Sequence, residues 1–287
     1  MRGRLCGIAA LLLAGSAHAA EPVVDRILWL NGDTLAVRDG DKLVRPSQMI
    51  SIWLQTHLQG VELRPIVANA ERAWTLVRRG ENACIANAVR LPERERIAYF
   101  SAIWLMPPPQ LIVRRERRDA LPLDARGAVD LQALLADASL RGVVVHARSY
   151  GATLDAQLAS GGPALRRVTG GDFGSNLVSM LLQDRADYTV EYPNLLVALA
   201  SQREGELPLA VLPVKGATDP VPSGAACPRT PWGHAAIRLI DQALGTPEGA
   251  AMLREALRIS LPADTQRAYR DAIDAYFQRR ARPTPGL

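Results

Sequence analysis

Apolar residues recur along this chain in two alternating rhythms, short unbroken runs and stripes of period 3.6, which together predict an α/β protein. Arg26–Leu30 (RILWL), Glu62–Val67, Ala83–Ala86 (ACIA) and Gln110–Val113 (QLIV) read as strands. Between them, Ser47 is placed to cap a helix whose Met49, Ile50, Trp53, Leu54, His57 and Leu58 share one stripe, ended by Gly60. Asn69 is placed to cap a second helix that buries Ala73, Trp74 and Val77 and stops at Gly80. The pattern then restarts. Asp130 opens a helix (DLQALLADA), Gly142–His146 (GVVVH) reads as a buried strand, and Ser149-Tyr150-Gly151 turns into a helix. Arg166–Thr169 is strand-like, Ser175 is placed to cap a helix through Leu182, Asp187–Val190 is a strand and Pro193 starts a helix. Leu209–Leu212 (LAVL) and Ser223–Cys227 complete the strands. The remainder predicts helices over Trp232–Leu244 and Pro247–Leu257, then one with Tyr269, Ile273, Tyr276 and Phe277 on one face. The tail Arg279–Leu287 (RRARPTPGL) is expected to be loose.

Two α/β units with helices left over suggest a chain that leaves one lobe, builds another and returns. Pro107-Pro108-Pro109 marks the outward crossing, and the loop around Pro220 and Pro222 the return. The predicted division is therefore 20–109 with 222–287 as a discontinuous first lobe, and 110–221 as the second. Residues 1–19 have the three parts of a secretory leader: Arg2 and Arg4, an apolar run Leu5–Ala14, and Ala17-His18-Ala19 as a small-residue cleavage site. That run is shorter than the roughly 20 residues a bilayer span needs. Cleavage after Ala19 would leave 268 of 287 residues in an exported protein, most simply in a bacterial periplasm. Export changes the meaning of the cysteines. Cys6 leaves with the leader, and Cys84 and Cys227 remain in an oxidising compartment, where they form one disulfide or lie separately buried as thiols.

Composition adds exclusions. The chain is 48% apolar and 22% charged, within the globular range, and only 5% aromatic. All basic residues but Lys42 and Lys215 are Arg, and they spread along the chain with one dense run at 114–118, unlike the clustered footprint of a nucleic-acid binder. No complete nucleotide-binding loop, hydrolase elbow or zinc-spaced His or Cys set occurs, so no cofactor or metal is expected. Gly170-Gly171-Asp172-Phe173-Gly174 is a glycine-rich helix entry and a weak phosphate signal.

The stretch Gly80–Val113, GENACIANAVRLPERERIAYFSAIWLMPPPQLIV, is similar to a segment of the type 2 periplasmic solute-binding proteins of family 3, the amino-acid-binding group. Pro92-Glu93-Arg94 and Tyr99-Phe100-Ser101 fit it, while Asn82 stands where Asp is usual. Gly142–Thr153 resembles that family's strand, turn and helix start in the second lobe. Ala186-Asp187-Tyr188 with Glu191 resembles its strand end, and Gly224–Pro228 its returning hinge strand. Cys84 and Cys227, with Asn69, Arg72 and Gly80, resemble a less characterised branch described only as amino-acid-transport-like. The resemblance implies a two-lobe fold with two hinge crossings, and a Cys84–Cys227 disulfide joining neighbouring strands of the first lobe. It also implies a small-molecule ligand in the interlobe cleft of a monomer that serves an inner-membrane ABC permease.

Carried over residue by residue, the resemblance gives Arg94 the ligand's carboxylate, which a planar guanidinium holds bidentately. Ser149, Tyr150 and Gly151 would offer a helix N-terminus to the same ligand, Asn87 an amide, and Glu191 an acceptor for its ammonium. Each has a plainer reading: Arg94 as a surface residue of the run Arg90, Arg94, Arg96, Ser149–Gly151 as an ordinary cap, Glu191 as a carboxylate paired with a nearby Arg. The family's ligand-sandwiching aromatics are missing from Asn31–Arg38 and Val67–Ala70, and Trp29 and Trp74 read as core. Two further functions stay open: a ligand-responsive sensor or docking protein, and a dehydratase-like enzyme using Glu191 or Glu93 as an acid.

Overall fold

The computed structural model describes residues 22–32, 35–169, 175–202 and 205–287. The expected leader and the glycine-rich entry Gly170–Gly174 lie outside them. In chain order the elements are β1 (Arg26–Asn31), β2 (Val37–Asp39), β3 (Lys42–Val44), α1 (Pro46–His57), β4 (Glu62–Val67), α2 (Ala70–Arg78), β5 (Ala83–Val89), α3 (Pro92–Glu95) and β6 (Ala98–Met106). Then follow β7 (Gln110–Arg114), a 3-10 turn (Arg115–Ala120), α4 (Leu131–Ala136), β8 (Gly142–Val145), α5 (Ala152–Ala159), β9 (Leu165–Val168) and α6 (Ser175–Leu182). The chain continues with β10 (Tyr188–Glu191), α7 (Pro193–Ser201), β11 (Leu209–Leu212), β12 (Val221–Pro228), α8 (Pro231–Leu244), α9 (Pro247–Ser260), α10 (Ala263–Ala268) and α11 (Arg270–Arg280).

These strands make two five-stranded sheets, ordered β4-β1-β5-β12-β6 and β11-β7-β10-β8-β9. The chain crosses between them through Pro107–Pro109 and again between β11 and β12, so the architecture is the expected α/β fold of two lobes. β1 runs parallel to β4 and β5, and β8 parallel to β9 and β10, whereas β12 returns antiparallel to both its neighbours. Alternation sorts β1: Ile27 and Trp29 enter the core beneath α1, and Leu30 the one beneath α2 with Trp74 and Val77. Asn69 caps α2 by accepting from the Arg72 N–H at 2.9 Å. Ser47 does not cap α1. Pro46 occupies the first turn, where its missing N–H costs nothing, and Arg45 becomes the cap position.

Two elements differ from the sequence expectation. The polar stretch 37–44 forms the hairpin β2–β3, and Val37 is buried with Ala198 of α7 and Ile259 of α9. The Arg38 N–H also donates to Ser201 Oγ at 2.9 Å, so the hairpin spans both lobes. The tail is not loose. Arg280 is buried and pairs with Asp241 at 3.3 Å, its Nε donates to the Ala102 carbonyl at 2.7 Å, and Thr284 donates through N–H and Oγ to the Asp241 carboxylate. Gly245 admits this tail, since a Cβ there would stand 2.6 Å from Pro283 N.

A second charged cluster ties the inner strands of the second sheet at the end away from the cleft. Asp187, buried, accepts from the Arg141 backbone N–H and Nε at 2.7 and 2.9 Å, and Arg114 lies at 3.5 Å. The Arg141 guanidinium holds this carboxyl below its ordinary range, against the opposing effect of burial. Because the folded pKa lies below the unfolded value of about 3.9, the stabilisation is complete above that pH and is lost as pH falls through the folded value. Thermal unfolding followed from pH 6 to pH 2 should show an acid limb below about pH 4. Asp187→Asn should flatten that limb; an unchanged limb would assign it to other groups.

Candidate functional site

A cleft lies between the lobes, at the carboxyl ends of parallel strands from both sheets, where open α/β sheets place ligands. Asn31 ends β1 and Gly32 follows it, Asn87–Val89 end β5, Ala147–Ser149 follow β8, and Tyr192 and Asn194 follow β10. Val221 and Ser223 of β12 contribute from the hinge side. Room for water centres is about 80 Å³. One ordered water needs about 10–15 Å³ on that measure, so the space suits a solute of several heavy atoms.

Arg94 stands in the cleft wall because Pro92 starts the one-turn helix α3 immediately after β5. Its guanidinium lies over the Trp74 ring, 4.6 Å from the centroid, and Nη1 donates to the Val89 carbonyl at 3.0 Å. Burial pushes its pKa down, while Asp155 and Tyr192 push it back up. Among the described residues no carboxylate forms an ion pair with it. A guanidinium removed from water with donors left over is poised for an external anion. Trp74 therefore serves both core and cleft, and Arg94 lies across its ring.

Ser149 and Asn87 also line the cleft. The helix start behind Ser149 is already occupied. The Asp155 carboxylate accepts from Ser149 Oγ and from the Tyr150 N–H at 2.7 Å, and the Gly151 N–H donates to Ser149 Oγ at 3.1 Å. Tyr150 and Gly151 do not line this cleft; they border a neighbouring groove with Pro108, Pro109 and Val221. Tyr150 is buried, and its hydroxyl accepts from the Val145 N–H at 3.0 Å. Gly151 has φ +90°, and a Cβ there would meet Val221 at 2.9 Å, so glycine lets the second lobe press on the hinge strand.

Glu191 is buried and does not line the cleft. Its Oε1 accepts from Arg148 Nη1 at 2.9 Å, and Arg148 occupies the lining position. Arg148 sits between the Tyr150 and Tyr192 rings, 5.6 and 5.5 Å from their centroids, where aromatic faces favour a cation. Burial pushes both tyrosine hydroxyls up, so they are neutral beside it. The structure thus brings Arg94, Asn87 and Ser149 together, and sets Tyr150, Gly151 and Glu191 behind them.

Several lining residues were not legible as such. Arg148 is adjacent to Ser149, and Tyr192 to Glu191, so both lay one position from an expected site residue. Ser223 gave no signal. It is buried in the hinge strand, lines the cleft, and its Oγ has no hydrogen-bond partner. None of the described histidines lines the cleft, and no group of three His, Cys, Asp or Glu among the described residues could hold a metal.

No protein-family model matches the chain, and no curated protein matches it in sequence. Solved structures match it in shape. An amino acid ABC transporter substrate-binding protein, AbpA, from Streptococcus pneumoniae, bound to L-arginine, superposes with a TM-score of 0.58 at 15% identity, covering 83% of this chain and 97% of its own. An ancestral arginine-binding protein bound to arginine gives 0.60 at 13%, covering 83% and 98%. The fold is the two-lobe fold of amino-acid-binding proteins. A third structure bears on the enzyme reading: the ancestral amino acid-binding protein AncCDT-1, a precursor of cyclohexadienyl dehydratase, gives 0.57 at 12%, covering 83% and 95%. Cys84 and Cys227 are joined, with Cα atoms 4.3 Å apart on β5 and β12.

Proposed function

We propose that this chain is a solute-binding protein that captures a small carboxylate-bearing, amino-acid-like solute between its lobes and delivers it to an ABC-type permease. The observation that carries the reading is Arg94, a partly desolvated guanidinium in the interlobe cleft that forms no ion pair with a carboxylate among the described residues. The fold supports a binding role, and both lobes contribute to the lining, so a bound solute favours the closed arrangement through contacts an open one lacks. Export through residues 1–19 would place the protein in the periplasm, where such capture operates; no helix among the described residues is long and apolar enough to cross a membrane. Glu191 holds Arg148 against the cleft instead of meeting an ammonium itself.

Calorimetry with a panel of amino acids and organic acids tests this. Arg94→Ala should weaken the best binder by about 2–3 kcal/mol, the lower part of the range for removing one partner of a buried charge pair. The lower part applies because Arg94 is only half-buried. Unchanged affinity in the variant would displace the carboxylate from Arg94. If no panel member binds the unaltered protein, docking or sensing replaces capture.

A further inference from the structure

The β2–β3 hairpin joins the two lobes through contacts in which no solute takes part. It rests on α9 of its own lobe, and β2 lies against α7 of the second lobe. Val37 is 2% exposed and Ala198 of α7 0%, with Ile259 of α9 buried beside them and Val44, Met49 and Val197 packed around. The contact is dry. The Arg38 N–H donates across it to Ser201 Oγ, whose own proton goes to the Val197 carbonyl within α7. Asp39 and Arg258, 3.6 Å apart, add an exposed pair between the hairpin and α9. Leu35 packs on the same cluster and on the second lobe's core, and it also lines the main cleft. The cleft wall and the hairpin contact are therefore continuous. Parting the lobes would uncover apolar surface on Val37, Ala198 and Ile259 and take the acceptor from the Arg38 N–H, and both effects oppose opening.

We infer that the β2–β3 hairpin is a clasp that keeps the lobes closed in the absence of solute, and that its release from α7 gates entry to the cleft and exit from it. The clasp itself is independent of the capture reading above, and only its effect on solute exchange rests on that reading. Where the closed form is already populated, a solute supplies less of the free energy of closure, so affinity rises and release slows.

Hydrogen exchange on the unaltered protein, freed of co-purified solute by unfolding in urea and dialysis, is the first test. The Arg38 amide should exchange at least about tenfold more slowly than in an unstructured chain, since its acceptor lies on the other lobe. Exchange at the unstructured rate overturns the clasp. Solution X-ray scattering is the second test. Val37→Asp, and Ala198→Asp on the opposite lobe, each set a charge in the dry contact and should enlarge the radius of gyration of the solute-free protein. Either variant suffices where the other fails to fold. Leu43→Asp puts the same charge on an exposed position of the hairpin and should leave the radius unchanged. An unaltered protein as expanded as the clasp variants overturns the inference. With a solute found by calorimetry, the clasp variants should bind about tenfold more weakly and release faster, the loss expected where the closed form falls to about a tenth of the population. Unchanged affinity and release would overturn the gating role. If no solute binds the unaltered protein while Arg38 stays protected, the capture reading fails and the clasp stands.

Discussion

Removing the Cys84–Cys227 disulfide is expected to cost about 5 kcal/mol of stability, the largest single effect anticipated for this chain. The half-cystines are 143 positions apart, and the enclosed loop contains all of the second sheet. In the chain-entropy description, crosslinking a loop of that length restricts the unfolded ensemble and leaves the native contacts as they are. Both cysteines are fully buried on adjacent strands of one sheet, so the bridge closes the base of the hinge without spanning the cleft. The double variant Cys84→Ala, Cys227→Ala should therefore unfold at a lower urea midpoint and with a steeper slope, as its denatured state expands. Ligand affinity in the folded state should be unchanged. A loss below about 1 kcal/mol would show that the unfolded chain is already restricted by other means.

The elements that the sequence announced are those fixed by local rules. GVVV at Gly142–Val145 reads as a buried strand and is one, and Asn69 is a cap whose side-chain oxygen accepts from the N–H group three residues on. Arg94 was singled out only through the family resemblance of Pro92-Glu93-Arg94, since the run Arg90, Arg94, Arg96 by itself reads as a charged surface. What was not legible depends on partners far along the chain. The hairpin at 37–44 is short and polar, and only its docking on α7 and α9 gives Val37 a place to be buried. The tail reads as loose until Arg280 meets Asp241, 39 residues earlier and on another helix. Ser149–Gly151 looked like a free helix start because the sequence does not reveal that Asp155 folds back over it. The hairpin was decided by distant apolar contacts, the tail by a distant ion pair, and the Ser149–Gly151 turn by a carboxylate six residues beyond Ser149.

Glu191→Gln should lower the stability of the ligand-free protein by about 3–5 kcal/mol. The Glu191 side chain is 0% exposed and that of Arg148 11%, so neutralising the carboxylate takes away an ion-pair partner of a guanidinium packed against Tyr150 and Tyr192. The buried pair is no evidence of net stabilisation against an apolar alternative, but breaking it weakens the compensation of the charge that stays buried, and that loss is what the variant measures. If Glu191 instead met the ligand's ammonium, the variant would leave unfolding unchanged and weaken only amine-bearing solutes. Urea unfolding without ligand, beside calorimetry with matched amino and non-amino carboxylates, separates these outcomes. The double variant Arg148→Met, Glu191→Leu sharpens the test, because removing both charges should recover most of the stability lost in the single variant. Among the described lining residues, Arg94 would then be the remaining cation. Retained carboxylate binding in that variant would assign Arg94 as the sole anion anchor. Lost binding with restored stability would make Arg148 a second contact for the solute, held in place by Glu191 from behind.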